Sequence, residues 1–202
     1  YFLDFDSSGD FGSQDDKWLF SCCVGCCFGN LVSEDLMRKK NMRSDLIYNE
    51  ELLEGRNAIV TGGATGLGRA IAVGLAQVGA TVTIVSRQEA ILKEAAKQIS
   101  DETGKMISYD IVDIRDVESV DQLSGRHKNV DILINNAGGQ FPQKARDFTS
   151  NGWRSVIDLN LNGTWNMTQA FGNNMLEREG GSICQIIATV GPSCSNKEVL
   201  QS

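Results

Sequence analysis

The sequence predicts an α/β protein: a doubly wound sheet of parallel strands with helices on both faces. Three features carry the prediction. From residue 57 onward, short apolar runs rich in β-branched residues alternate with stretches of helical periodicity, the pattern left by strand–helix–strand crossovers. The strand runs are almost continuously apolar, as strands buried on both faces are. A glycine-rich stretch, "TGGATGLGRA", joins the first strand to the first helix.

Taken in order, "NAIVTG" (57–62) forms the first strand. "GLGRAIAVGLAQVGA" (66–80) follows as a helix, with Leu67, Ile71, Leu75 and Val78 at helical spacing and Gly79 as its stop. "TVTIVS" (81–86) is the second strand, and 88–104 is a helix with Ile91, Leu92, Ala95, Ala96 and Ile99 on one side. "KMISYDI" (105–111) is the third strand, "DVESVDQL" (116–123) a short helix, and "VDILINN" (130–136) the fourth strand. After "NGWRSVIDLNLN" a helix covers about 163–177, and "SICQIIAT" (182–189) is the fifth strand. No internal repeat or low-complexity tract interrupts this pattern.

The 202 residues, 41% hydrophobic and 22% charged, are enough to bury the core of one domain. A net charge of −7 argues against a general nucleic-acid binder. Seven acids and the single base Lys17 fall within residues 1–36, which leaves 37–202 close to neutral. Residues 1–45 have no periodicity and are read as a disordered leader or as sequence foreign to the fold. Met37 and Met42 are candidate natural starts. The domain then spans 46–195, with a divergent tail over 196–202.

The longest apolar run, "WLFSCCVGCCFGNLV" (18–32), is shorter than a membrane span needs. Its acidic flank, Asp15-Asp16, is unlike a secretory signal or a transit peptide. Its cysteines, Cys22, Cys23, Cys26 and Cys27, are read as carrying no function. Metal binding and S-acylation are the alternatives, but half of a zinc site is missing. Cys184 and Cys194 fall in a strand and the loop after it, so no disulfide framework is implied. His127, the only histidine, is read as a solvated loop residue.

The glycine-rich stretch has a physical use. Gly62 suits the positive φ of a tight strand-to-helix turn. Gly66 and Gly68 carry no Cβ, so a pyrophosphate can approach the backbone and the helix can pack close to the strand. The helix start presents unpaired N–H groups and a partial positive charge to an anion.

The spacing Thr-Gly-x-x-x-Gly-x-Gly, with "NNAGG" (135–139), "DLNLNGTWN" (158–166) and "GGSICQII" (180–187), resembles the short-chain dehydrogenase/reductase family over about residues 55–195. The resemblance implies a Rossmann-like fold, incomplete here on its C-terminal side, and a nicotinamide dinucleotide cofactor. It assigns Thr61, Gly62, Thr65, Gly66, Leu67 and Gly68 to cofactor binding. Asp113 and Ile114 resemble the family's residues beside the adenine. Asn135 is implied to help hold the sheet, and Asn136, Ala137 and Gly138 to line the cofactor cleft. Ser86 and Arg87 follow the second strand, where an acid favours NAD and an Arg accommodates the 2′-phosphate of NADP. Arg87 therefore points to NADP(H).

The family reaction moves hydride between the nicotinamide and a carbonyl, alcohol or activated alkene. A Tyr manages the proton, a Lys three residues beyond it lowers its pKa, and a Ser and an Asn assist. Asn160 matches that Asn by its place in "LNLNG"; a local backbone-bonding role at a helix start is the alternative. Ala188 falls at the Ser position, and Thr189 takes the hydroxyl role after a one-residue slip. No Tyr follows Tyr109, so Tyr-x-x-x-Lys is not formed, and Lys197 follows no Tyr. The expectation is therefore an oxidoreductase lineage acting on a small-molecule substrate, with this chain inactive alone. A dinucleotide-binding pseudoenzyme or an inactive fragment is the alternative.

"NNAGGQF" is similar to the branch near the peroxisomal 2-enoyl-CoA and 2,4-dienoyl-CoA reductases or terpenoid-alcohol dehydrogenase-like members. No metal site is expected. Helix 163–177 resembles a family dimer surface, so a homo-oligomer is possible, with Trp165 and Phe171 read chiefly as monomer core. The cytoplasm is the favoured location, with the peroxisome open if the true C-terminus lies beyond "LQS".

Overall fold

The computed structural model describes residues 49–141, 145–178 and 180–187. The leader with its cysteines, Met37 and Met42, and the positions Ala188, Thr189, Cys194 and Lys197 lie outside the described residues.

Five parallel strands form one sheet: β1 (Asn57–Thr61), β2 (Thr81–Ser86), β3 (Ser108–Ile111), β4 (Ile132–Asn135) and β5 (Ser182–Gln185). Their order across the sheet is β3-β2-β1-β4-β5. Helices α1 (Gly66–Gln77), α2 (Glu89–Thr103) and α3 (Val117–Arg126) connect the first four strands. After β4 come a 3₁₀ turn (Ala145–Asp147), α4 (Ser150–Ile157), a π-helical stretch (Asp158–Gly163) and α5 (Thr164–Leu176).

The chain winds outward from β1 through β2 to β3, then crosses back to lay β4 on β1's other side. Ala58 pairs with Val82 on one flank and with Ile132 on the other. Open α/β sheets bind ligands at such a reversal, beyond the carboxyl ends of the strands.

Alternation along the strands divides the core. Ala58, Val60, Val82 and Ile84 face α1 and α2, where they meet Ala72, Ala76, Leu92 and Ile99. Ile59, Val85, Leu133 and Ile183 face α3 and α5, where they meet Leu123, Met167 and Phe171. Trp165, on the same helix as Phe171, is 58% exposed, so only Phe171 of the two belongs to the core.

Several sequence expectations shift. In α1 the buried residues are Gly68, Ala72, Val73 and Ala76, while Leu67 is exposed. Small side chains let the helix approach the sheet, and the larger Ile71 and Leu75 pack at the margin. Gly104, at φ +68°, ends α2 where expected, in the left-handed conformation, but the third strand starts only at Ser108, where pairing with Thr83 of β2 begins. The helix expected over about 163–177 is α5, and a further helix the sequence did not suggest, α4, precedes it. His127 is not a loop residue in water: it caps α3, with Nε2 2.6 Å from the Asp110 carboxylate, which also accepts from Arg126 at 2.8 Å. β5 is an edge strand among the described residues, yet Ile183 is buried and Cys184 and Ile186 are partly covered. No described helix is long and apolar enough to cross a membrane.

Candidate functional site

The first β-strand ends in a turn built on glycine. Gly62 has φ +64° and Gly66 φ +52°, conformations that suit residues without a Cβ. A Cβ on Gly68 would lie 2.3 Å from the Gly62 carbonyl oxygen, so the first turn of α1 sits directly on the loop. A Cβ on Gly66 would meet nothing within 4 Å, because that backbone faces an open cleft. Gly63, unremarked in the sequence, is needed for packing: its Cβ would come within 2.6 Å of Ile84. The N-cap Thr65 makes no side-chain cap bond, and no acid stands in the first turn. The unpaired N–H groups there keep their attraction for an anion.

The loop is held from below. Thr61, buried under the cleft, accepts from the backbone N–H groups of Asn136 at 3.0 Å and Ala137 at 2.9 Å. The Asn136 side-chain amide donates to the carbonyls of Thr61 and Gly62 at 3.0 and 3.3 Å. The turns after β1 and β4 are thus stitched together, and Asn136, Ala137 and Gly138 form one wall of a cavity of about 440 Å³.

Ser86 and Arg87 at the end of β2, and Asp113 and Ile114 after β3, line the same cavity, as do Gly62, Thr65, Gly66, Leu67 and Gly68. Thr61 is not among the lining residues; its hydroxyl, buried beneath the cavity, acts on the wall formed by Asn136 and Ala137. Asp113 is gripped by Arg115, whose Nε lies 2.9 and 3.1 Å from its two carboxylate oxygens. This bonding holds the Asp113 carboxyl below the usual carboxylate range, against a smaller opposing effect of burial, and the charge of Arg87 adds to the lowering.

A model of the short chain dehydrogenase family matches residues 56–198. The chain belongs to the short-chain dehydrogenase family. It is 34% identical over 145–155 residues to several curated relatives. One is the peroxisomal 2,4-dienoyl-CoA reductase of Danio rerio, where the match takes 72% of this chain and 50% of the relative. The 2-dehydro-3-deoxy-D-gluconate 5-dehydrogenase of Bacillus subtilis strain 168 is 33% identical, over 66% of this chain and 53% of the relative. The chain spans about half the length of these relatives.

Among solved structures, a citronellol catabolism dehydrogenase of Pseudomonas aeruginosa PAO1 superposes with TM-score 0.64 at 32% identity, covering 69% of this chain and 58% of that one. A short chain dehydrogenase of Shigella flexneri 2a strain 301, complexed with NADP, superposes with TM-score 0.63 at 31% identity, covering 68% of this chain and 60% of that one.

Asn160 stands in the π-helical stretch, not at a helix start. Its Oδ1 accepts from the Gly139 N–H at 2.8 Å and its Nδ2 donates to the Gly139 carbonyl at 2.9 Å. Its backbone partner lies 21 residues away in sequence rather than in its own turn. The side chain clasps the loop that continues the cavity wall, and a Cβ on Gly138 would come within 3.3 Å of Asn160 Oδ1. Wide π turns recur at functional sites because they re-aim one residue within a helix. Thr189, the other expected catalytic position, lies outside the described residues.

The sequence reading missed Ala64, Val85, Gln88, Ile91, Val112 and Leu159, all of which line the cavity. Ile91 is a correction: helical spacing groups it with Leu92, Ala95, Ala96 and Ile99, yet it is 44% exposed, off the buried face of α2, and lines the cavity. Among the described residues no cluster suits a metal ion.

Proposed function

We propose that this chain is the dinucleotide-binding part of an NADP(H)-dependent short-chain dehydrogenase/reductase. The reaction it serves moves hydride between the cofactor and a carbonyl, alcohol or enoyl-type substrate. The carrying observation is the convergence, in one cavity at the sheet's reversal point, of an open glycine turn, Arg87 and the Asn136–Gly138 wall. The Gly66 backbone and the start of α1 would hold the pyrophosphate. Ser86 and Arg87 would hold the 2′-phosphate of the adenosine ribose, with Asp113 and Ile114 beside the adenine and Ala137–Gly138 along the rest of the cleft. The bound dinucleotide supplies the hydride chemistry. The residues of this chain bind and orient it, and Asn160 fixes the loop at Gly139. The NADP complex of the Shigella relative supports the cofactor assignment, and Arg87 supports the preference for the phosphorylated form.

Fluorescence titration with NADPH and NADH tests this reading. An Arg–phosphate contact contributes about 1.5–3 kcal/mol, so NADPH is expected to bind at least about tenfold more tightly. Arg87→Asp is expected to erase or reverse that ratio, because its carboxylate repels phosphate and accepts from a ribose hydroxyl. Equal affinities in the unmutated chain would sink the NADP assignment.

A further inference from the structure

Thr168 lies on α5 and is 5% exposed. Its hydroxyl donates to the Thr164 carbonyl at 2.8 Å. It accepts from the side-chain amides of Asn135 at 3.1 Å and Gln185 at 2.9 Å. A hydroxyl has one hydrogen and two lone pairs, so these three bonds use its whole capacity. Asn135 and Gln185 are the last residues of β4 and β5 and face each other in register. One hydroxyl therefore ties the carboxyl ends of two neighbouring strands to a single point on the helix behind them.

The two amides have little else to hold them. Among the described residues, Asn135 Oδ1 and Gln185 Oε1 are buried without hydrogen-bond partners. Buried half-satisfied amides are uncommon, because an apolar side chain of similar shape avoids the cost. On the opposite side of β4, Thr61 forms a similar junction: it accepts from Asn136 and Ala137 and donates to the Ile134 carbonyl at 3.3 Å. The end of β4 is thus held between two threonine hydroxyls, and the chain leaves that grip directly into the cavity wall.

We propose that Thr168 is a positioning residue for the cleft. Through Asn135 and Gln185 it sets where the Asn136–Gly138 wall stands, and so acts on dinucleotide affinity without touching the ligand. The affinity part rests on the proposed function; the placement of the wall does not.

The test uses the whole 202-residue chain and two readouts. Hydrogen exchange at the Asn136 and Ala137 amides needs no ligand, and NADPH titration gives the affinity. Thr168→Val keeps the shape and removes the hydroxyl, whereas Thr168→Ser keeps the hydroxyl. Met175→Ala is the control: it thins the core on the same helix, against Gly181 at the other end of β5. Thr168→Val is expected to speed exchange at both amides about tenfold and to weaken NADPH binding about tenfold. Thr168→Ser restores both, and Met175→Ala lowers the unfolding midpoint while leaving both near the parent values.

Parent-like exchange and affinity in Thr168→Val overturn the proposal, as does an equal change in Met175→Ala. Faster exchange in Thr168→Val, with a parent that binds no NADPH, supports the placement and overturns the proposed function instead. If Thr168→Val fails to fold, Gln185→Met removes only one donor. It is expected to move both readouts the same way by about threefold, and no movement overturns the proposal.

Discussion

At the scale of single residues, the glycines of the β1–α1 turn do different work. A Cβ on Gly68 would meet the Gly62 carbonyl oxygen at 2.3 Å and the Asn136 amide at 2.4 Å. Neither can yield cheaply, since one is backbone and the other holds the two loops together. Gly68→Ala is therefore expected to cost about 1–3 kcal/mol, as overpacking does. The methyl group of Gly66→Ala faces open space and costs only the left-handed backbone, about 1–2 kcal/mol. Its larger effect is on ligand approach. Urea denaturation and NADPH titration of both variants separate the two roles: Gly68→Ala should lose more stability, Gly66→Ala more affinity than its stability loss explains. The reverse pattern would refute this division. Glycine spacing is visible in a sequence because it reflects backbone constraints over a few residues, so the loop part of the lining was legible from it; Asp113, Ile114 and Asn136–Gly138 came from the family resemblance. The Thr168 junction was not legible. It joins residues 33 and 17 positions apart, and nothing local marks a threonine in a helix as the partner of two strand ends.

At the scale of elements, β1, β2 and β4 announced themselves because their burial is carried mainly by large apolar side chains, whereas β3 has no buried residue. α1 announced itself for a partly wrong reason. Its periodic Leu67, Ile71 and Leu75 flank a buried stripe of glycine, alanine and Val73, which periodicity weighted toward bulk passes over. α4 was invisible. Its sequence, SNGWRSVI, contains weak helix formers, and only Gly152 is buried. What starts it is a cap: the Thr149 side chain accepts from the Gly152 N–H at 3.1 Å. The edge contacts of Phe148 with Phe141 and Trp153 anchor the same end. With so little burial, the cap should matter more than usual. Thr149→Ala is expected to cost about 1 kcal/mol, read as a lower thermal midpoint, while Thr149→Ser stays near the parent. A Thr149→Ala variant as stable as the parent would mean that the aromatic contacts alone set the start of α4.

At the scale of the molecule, the described residues form two cores, one on each face of the sheet. β1 belongs to both: Ala58 and Val60 pack on one side and Ile59 on the other. Damage to one face should therefore reach the other through β1 and its neighbours. Phe171 is the largest fully buried side chain among the described residues and anchors the α5 face. Truncating such a residue costs about 3–5 kcal/mol, a large share of the roughly 5–15 kcal/mol that holds a domain together. Phe171→Ala should bring the unfolding midpoint down sharply. Of the three tryptophans, Trp153 and Trp165 lie on helices after β4, so with Trp18→Phe as background the fluorescence reports that side, while far-UV circular dichroism reports every helix and strand. If the sheet couples its faces, the two signals fall together at the same lower denaturant concentration. If fluorescence falls first and circular dichroism keeps the parent midpoint, the α5 face is a separate unit. The cavity would then stand on two independently unfolding halves, since its β1 and β4 walls belong to both.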